Sequence, residues 1–186
     1  MKLLIHACCA DCLLHIDTSK LDSVKPDIYF YNPNIHPRTE YLARLEAIKS
    51  VYELHKDQFN KLIIANWVPK EYFNKIPCLP AGTAKSKSQT PITRCPNCWL
   101  LRLDATFKYA KENKYDAITS TMLTSHYMNR DAIINIGKSL SSKYGIEFLD
   151  NVCTECEVKT GGFYKQNYCG CCYSLVERME EKFLEP

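Results

Sequence analysis

The sequence predicts an α/β protein, with a parallel sheet of about five strands and helices on both of its faces. Short apolar runs alternate with stretches whose apolar residues recur at helical spacing, which implies right-handed crossovers between parallel strands. The run Ile28-Tyr29-Phe30-Tyr31 is apolar or aromatic throughout, as in a strand covered on both faces. At 186 residues, 46% hydrophobic and 24% charged, the chain is long enough for one domain with a real core, spanning 1–186.

Lys2 to Ala7 reads as the first strand, and Asp11 to about Leu21 as the first helix, with Leu13, Leu14 and Ile16 apolar. A turn over Ser23 to Asp27, containing Pro26, leads to the second strand, Ile28 to Tyr31. That strand ends in a rigid loop, Asn32-Pro33-Asn34-Ile35-His36-Pro37. From Arg38 to about Lys56 the apolar positions Tyr41, Leu45, Ile48 and Tyr52 are spaced by four, three and four, which is an amphipathic helix. Leu62 to Ala65 is a third strand, and Trp67 to Phe73 a short helical or irregular piece. The Pro, Gly, Ser, Thr and Lys content between Pro77 and Thr93 reads as a mobile surface loop. Cys95 opens the next helix, with Pro96 at the first helical position, where a missing N–H costs nothing. Its apolar stripe is Trp99, Leu103, Phe107 and Ala110. A fourth strand, Tyr115 to Thr121, precedes a loop with Ser125, His126 and Tyr127. A helix from about Arg130 to Lys143, carrying Ile133, Ile136 and Leu140, leads to a fifth strand, Ile146 to Leu149. Asn151 to Tyr168 is irregular, and Cys172 to Phe183 is a closing helix.

A net charge of +3 permits an acidic partner such as RNA without arguing for one. No apolar run approaches the roughly 18 residues that span a bilayer, and the N-terminus lacks the apolar segment of a secretory signal. The expectation is therefore a cytoplasmic protein with no membrane partner. Eleven cysteines in a reducing compartment point to metal or redox chemistry rather than to a disulfide framework, and the odd count leaves at least one thiol outside any paired scheme.

Three clusters carry that chemistry: Cys8-Cys9-Ala10-Asp11-Cys12, Cys95-Pro96-Asn97-Cys98 and Cys169-Gly170-Cys171-Cys172. Residues three apart share a helix face, so Cys9 with Cys12, and Cys95 with Cys98, can each converge on one metal centre. Gly170 allows a tight turn between two thiols. Each cluster lies at the start of an expected helix, where backbone N–H groups favour thiolate, and a parallel sheet can bring all three to one edge. Any one of these cysteines alone reads as a buried small hydrophobe, as Cys78 does. The pair Cys153 and Cys156 is not taken as a site, and Cys172 is the weaker member of its cluster. Zinc and iron–sulfur centres both fit such thiols, and a carboxylate at Asp11 among them leans towards iron, unless Asp11 only complements a helix start.

Longer strings run in order along nearly the whole chain: Cys-Cys-Ala-x-Cys after the first strand, Phe30-Tyr31-Asn32-Pro33-Asn34-Ile35-His36-Pro37, and Arg94-Cys95-x-x-Cys98 with Leu101-Arg102-Leu103. Ile134-Asn135-Ile136-Gly137 and Tyr164-x-Gln166-Asn167-Tyr168-Cys169-Gly170-Cys171 with Ser174 complete the set. Together they carry a resemblance to the cobalamin-independent epoxyqueuosine reductase family. It implies a Rossmann-like (HUP-type) fold and a cytoplasmic oxidoreductase that converts epoxyqueuosine to queuosine at the tRNA wobble position. It also implies a [4Fe-4S] cluster beside a mononuclear iron, and no cobalamin. The implied ligand set is Cys8, Cys9, Asp11, Cys12, Cys95, Cys98, Cys169 and Cys171. Catalytic candidates are Asp11, Tyr31, His36 and His126, the last three as proton sources. Arg38, Arg44, Lys165 and Tyr168 flank the motif loops as tRNA contacts, and an unidentified electron donor is required. The chain departs from the family pattern at Asp11, where Pro is usual, and in its Lys-, Ser- and Thr-rich segment before Cys95. The alternatives are a zinc-stabilised RNA-binding module and another iron–sulfur tRNA-modifying enzyme.

Overall fold

The computed structural model describes residues 1–21, 24–76, 91–153 and 162–184. Its strands are β1 (Leu3–His6), β2 (Asp27–Phe30), β3 (Leu62–Ile64), β4 (Ala117–Ser120) and β5 (Glu147–Phe148). Its helices are α1 (Ala10–Leu13), α2 (Arg38–Leu54), α3 (Pro69–Lys75), α4 (Pro91–Glu112), α5 (Arg130–Tyr144) and α6 (Cys172–Leu184). All strand pairs are parallel, in the order β3-β2-β1-β4-β5. The α/β expectation holds, and the strand order is Rossmann-like. From β1 the chain winds outward through β2 and β3, then returns to the other side for β4 and β5. The carboxyl ends of β1 and β4 therefore flank the switch point, where open α/β sheets leave a crevice.

The spacings read from the sequence become the core. Tyr41, Leu45 and Ile48 of α2, Leu103, Phe107 and Ala110 of α4, and Ile133 and Leu140 of α5 are buried against β1, β2 and β4, whose apolar residues are covered on both faces. Each fully buried Leu, Ile or Phe contributes about 1.5–3 kcal/mol. The α5 boundaries follow from capping: Asn129 Oδ1 accepts the Ala132 N–H at 2.9 Å, and Gly145 takes the left-handed conformation (φ +67°) that ends the helix.

Two helices differ from expectation. The first is a single turn rather than a run to Leu21: the His15 and Ile16 N–H groups bond back three residues, to Cys12 O and Leu13 O, which tightens the turn. The Asp17 N–H then bonds Val152 O, Ile16 forms an antiparallel bridge with Cys153, and Thr18–Leu21 is a separate 3-10 turn. The fourth helix opens at Pro91, not Cys95, so Pro96 lies inside it and Cys95 is not at a helix start. Pro91 supplies the fixed φ that suits a first helical position, and Pro96 gives up only the bond to the residue 92 carbonyl. Of the expected loop from Pro77 to Thr93, residues 77–90 lie outside the described residues and 91–93 are helical. Among the described residues, no helix is long and apolar enough to cross a membrane.

Gly137 marks where α5 meets β5. A Cβ there would lie 2.3 Å from two ring carbons of Phe148. Gly137→Ala is therefore expected to cost about 1–3 kcal/mol, read as a lower urea midpoint at unchanged slope. Phe148→Leu in the same background should recover part of the loss; no recovery would place the strain elsewhere.

Candidate metal centre

The first thiol group is built by the exits of β1 and β4, which end level, with His6 opposite Ser120. His6 Nε2 donates to Tyr31 O at 3.1 Å, and Nδ1 accepts from Ser120 Oγ at 2.8 Å. Burial, with the nearby Arg102 charge, pushes His6 down to about 3, so it is a neutral strut. One hydroxyl then serves both exits: Thr121 Oγ1 accepts the Cys8 N–H at 3.1 Å and lies 3.3 Å from Cys8 Sγ. Cys9 caps the one-turn helix, its Sγ accepting the Cys12 N–H at 3.4 Å. The sulfurs of Cys8, Cys9 and Cys12 end up buried and within 4.8 Å of one another. A single tetrahedral ion with ~2.3 Å bonds to sulfur sets them about 3.8 Å apart. Hydrogen bonds from the Cys12 and Cys9 thiols hold Cys8 well below the usual thiol range, and Cys12 is raised by those same bonds and by burial. Of the three, Cys8 is the thiol whose ionised form the group favours.

The second group joins distant segments. Cys95 and Cys98 share a face of α4, and Cys169 and Cys171 precede α6; all four line one pocket, with Arg102 and Asn34. Cys169 and Cys171 lie 3.7 Å apart, and Ser174 Oγ bonds both, at 3.0 and 3.5 Å. The Cys169 thiol, then Ser174, donate to Cys171 and draw it down to about 5 against the effect of burial; the Tyr72 hydroxyl adds to this. Burial pushes Cys98 up to about 12 and raises Cys95. Cys169, Tyr127 and Met128 line this pocket and also that of Cys8, Cys9 and Cys12, so the two groups share a wall.

Arg44 holds that wall in place. It is buried, pairs with Glu40 at 2.6 Å, and donates to the Cys169 and Tyr168 carbonyls at 3.3 and 3.4 Å. Gln166, with its amide oxygen turned inward, accepts from Arg44 at 2.7 and 3.0 Å. Gly170 passes so close that a Cβ would lie 2.8 Å from Arg44 Nη2, and its φ of +109° suits glycine. Arg44 is therefore an internal clamp and not the exposed RNA contact that its place beside a motif loop suggests.

The other expected residues divide by location. Asp11 is buried but lies outside the converging thiols; its carboxylate pairs with Lys165 Nζ at 2.6 Å. His126 is exposed, packs on Tyr127 at 3.9 Å between ring centroids, and lines the Cys8 pocket with Lys165 and Tyr168. Tyr168 is buried, its hydroxyl bonding His36 O. His36 packs among Trp67, Tyr72 and Phe73, with burial lowering it and the Cys171 charge opposing. Tyr31 lines neither thiol pocket: its hydroxyl donates to Glu71 at 2.5 Å in a separate groove of about 680 Å³ between α3, α4 and α5. Arg38 is exposed, 6.0 Å from the Trp67 ring. Cys172 lines neither thiol pocket. Cys153 is a buried thiol against Thr119 Oγ1 and Ser120 O, and Cys78 and Cys156 lie outside the described residues. Sequence reading missed Thr121, Ser174, Tyr72 and Arg102 as partners of the thiols. Arg102, four residues after Cys98, and Ser174, three after Cys171, carried a usable signal, since such spacings share a helix face.

The fit of a metal group is supported by the pocket itself: among its lining, Arg102 Nε and Asn34 Oδ1 are buried with no partner in the structure. Fold and site together define a Rossmann-like α/β protein with a cysteine-rich group at the switch point that could hold a metal. The family model for epoxyqueuosine reductase QueH matches residues 3–177, and the chain belongs to that family. Relatives named epoxyqueuosine reductase QueH include those of Thermotoga maritima, 32% identical over 96% of this chain and 92% of its own, and Acinetobacter baylyi, 32% identical over 94% and 80%. That of Dehalococcoides mccartyi is 30% identical over 95% and 94%.

The low Cys171 value gives a pH test on metal-free protein. Thiolate ultraviolet absorbance should persist at neutral pH and fall in an acid limb near pH 5 that Cys171→Ser removes. Ser174→Ala takes away a donor to the anion, so it should move that limb upward; an unmoved limb would refute the assignment.

Proposed function

We propose that the chain reduces epoxyqueuosine to queuosine in the tRNA anticodon. In this reading Cys95, Cys98, Cys169 and Cys171 hold a [4Fe-4S] cluster, and Cys8, Cys9 and Cys12 hold an adjacent iron. The observation that carries it is the shared wall between a four-thiol pocket and a converging three-thiol group. Bound there, such a group supplies single electrons and a Lewis acid for the epoxide oxygen.

The protein's own residues supply the rest. Opening the epoxide to an alkene consumes two electrons and two protons and releases water, so an external one-electron donor and a proton source are needed. His126 has the place for proton delivery, exposed and lining the pocket of the three thiols. Lys165, held by Asp11, sets a positive charge at the same wall. The His126–Tyr127 pair, its rings tilted by 42°, offers an aromatic face to a base drawn out of its stack, as enzymes acting on bases require. Tyr31 faces away and has no part in this scheme.

The test is an anaerobic assay of the iron-loaded protein on tRNA carrying epoxyqueuosine. Cys8→Ala and Cys169→Ala should each abolish queuosine formation, while Cys153→Ala should retain it. His126→Ala should lose about 10²–10⁴-fold. Full activity in either thiol variant refutes the ligand set, and tightly bound zinc without iron or sulfide would favour the zinc module instead.

A further inference from the structure

We infer that Arg102 is the internal counter-cation of both thiol groups, offsetting the negative charge of the metal-loaded centre and raising its reduction potential. The inference rests on the reading that the thiols hold an iron–sulfur centre. Three arginines are buried beside this site, and two are answered by carboxylates: Arg44 by Glu40 at 2.6 Å and Arg94 by Glu177 at 2.5 Å. Arg102 is buried deepest, 1% exposed, and among the described residues no carboxylate pairs with it. A guanidinium does not shed its proton. A charge held there without a counter-ion is strongly unfavourable, so the position makes sense only against an anion.

The anions within its reach are the thiols. Arg102 lines the four-thiol pocket beside Cys98, and its charge favours the thiolate both there and at Cys8 in the other group. The remaining titratable neighbour from β1, His6, is neutral. Asn32 fixes the guanidinium between the groups: its Nδ2 donates to Ala7 O at 2.8 Å, and its Oδ1 accepts from Arg102 at 2.9 Å. The Nε of Arg102 is left with no acceptor inside a pocket of thiols. A fixed cation favours whichever state of the centre is more negative, which is the reduced one.

Arg102→Met removes the charge, and Arg102→Lys keeps it on a different shape. In an anaerobic redox titration of reconstituted protein followed by electron paramagnetic resonance, Arg102→Met should lower the reduced-to-oxidised ratio at fixed potential about tenfold, a downward shift of about 59 mV. Arg102→Lys should recover most of it. Cobalt(II) titration of the metal-free proteins, followed by sulfur-to-metal charge-transfer absorption, should show about tenfold weaker binding in Arg102→Met, with Lys again the rescue. If Arg102→Met does not fold, Arg102→Gln compared with Arg102→Lys gives the same charge contrast. An intact cluster with unchanged potential in the neutral variant, or a Lys variant no better than the neutral one, overturns the inference and leaves the proposed function standing. A wild-type protein that takes up no iron or sulfide, yet loses cobalt affinity without Arg102, sinks the iron–sulfur reading and keeps the counter-cation.

Discussion

One hydroxyl, Thr121 Oγ1, ties together the two chain exits on which the centre depends. Because β1 and β4 are parallel and adjacent, both leave the sheet at the same edge, and because the winding reverses between them a crevice opens there. The Thr121 bonds to Cys8 fix the first thiol at the bottom of that crevice. The turn that follows has little freedom left. Cys9 must cap it, and capping brings Cys12 round to the same side. The helix dipole has a small share in this, since the helix is one turn long.

The second thiol group has no such local logic, for its halves lie far apart in sequence and only tertiary contacts hold them together. The Arg44–Glu40 pair does this from α2, reaching the Tyr168 and Cys169 carbonyls and leaving room for Gly170 and nothing larger. Breaking a buried pair of this kind by removing one partner costs about 3–5 kcal/mol. The wall between the two thiol pockets therefore rests on a buried ion pair whose arginine also lines the pocket of Cys8, Cys9 and Cys12.

This division explains what could be read from the chain. The strands, the α2, α4 and α5 core stripes and the convergence of Cys9 with Cys12 depend on period and short spacing, and all are visible in the sequence. The end of the first helix was not, because it is set by Val152 and Cys153, far along the chain. The start of α4 was masked by two prolines, either of which could open a helix, and the earlier one does. Arg44 looked like a surface charge because its acid partner, a turn away at Glu40, makes an ordinary exposed pair in sequence; its burial comes from the 166–170 segment laid over it. The pairing of the Asp11 carboxylate with Lys165 was not legible either, because the two lie far apart in sequence.

The protonation pattern also explains how such a centre can fold before it is loaded. Seven buried or half-buried thiols held as anions without metal would be prohibitively costly. Hydrogen bonding instead lowers the Cys8 and Cys171 thiols, while Cys9, Cys12, Cys95, Cys98 and Cys169 are raised by bonds and burial. Each neutral thiol that becomes a ligand must release its proton, so loading is coupled to proton release and weakens as the pH falls. Arg102 lines the four-thiol pocket and is tied through Asn32 to the Ala7 carbonyl beside Cys8, so its fixed charge lies near both groups. In the proposed reading the same fixed cation serves the folding of the empty pocket and the electron affinity of the filled one.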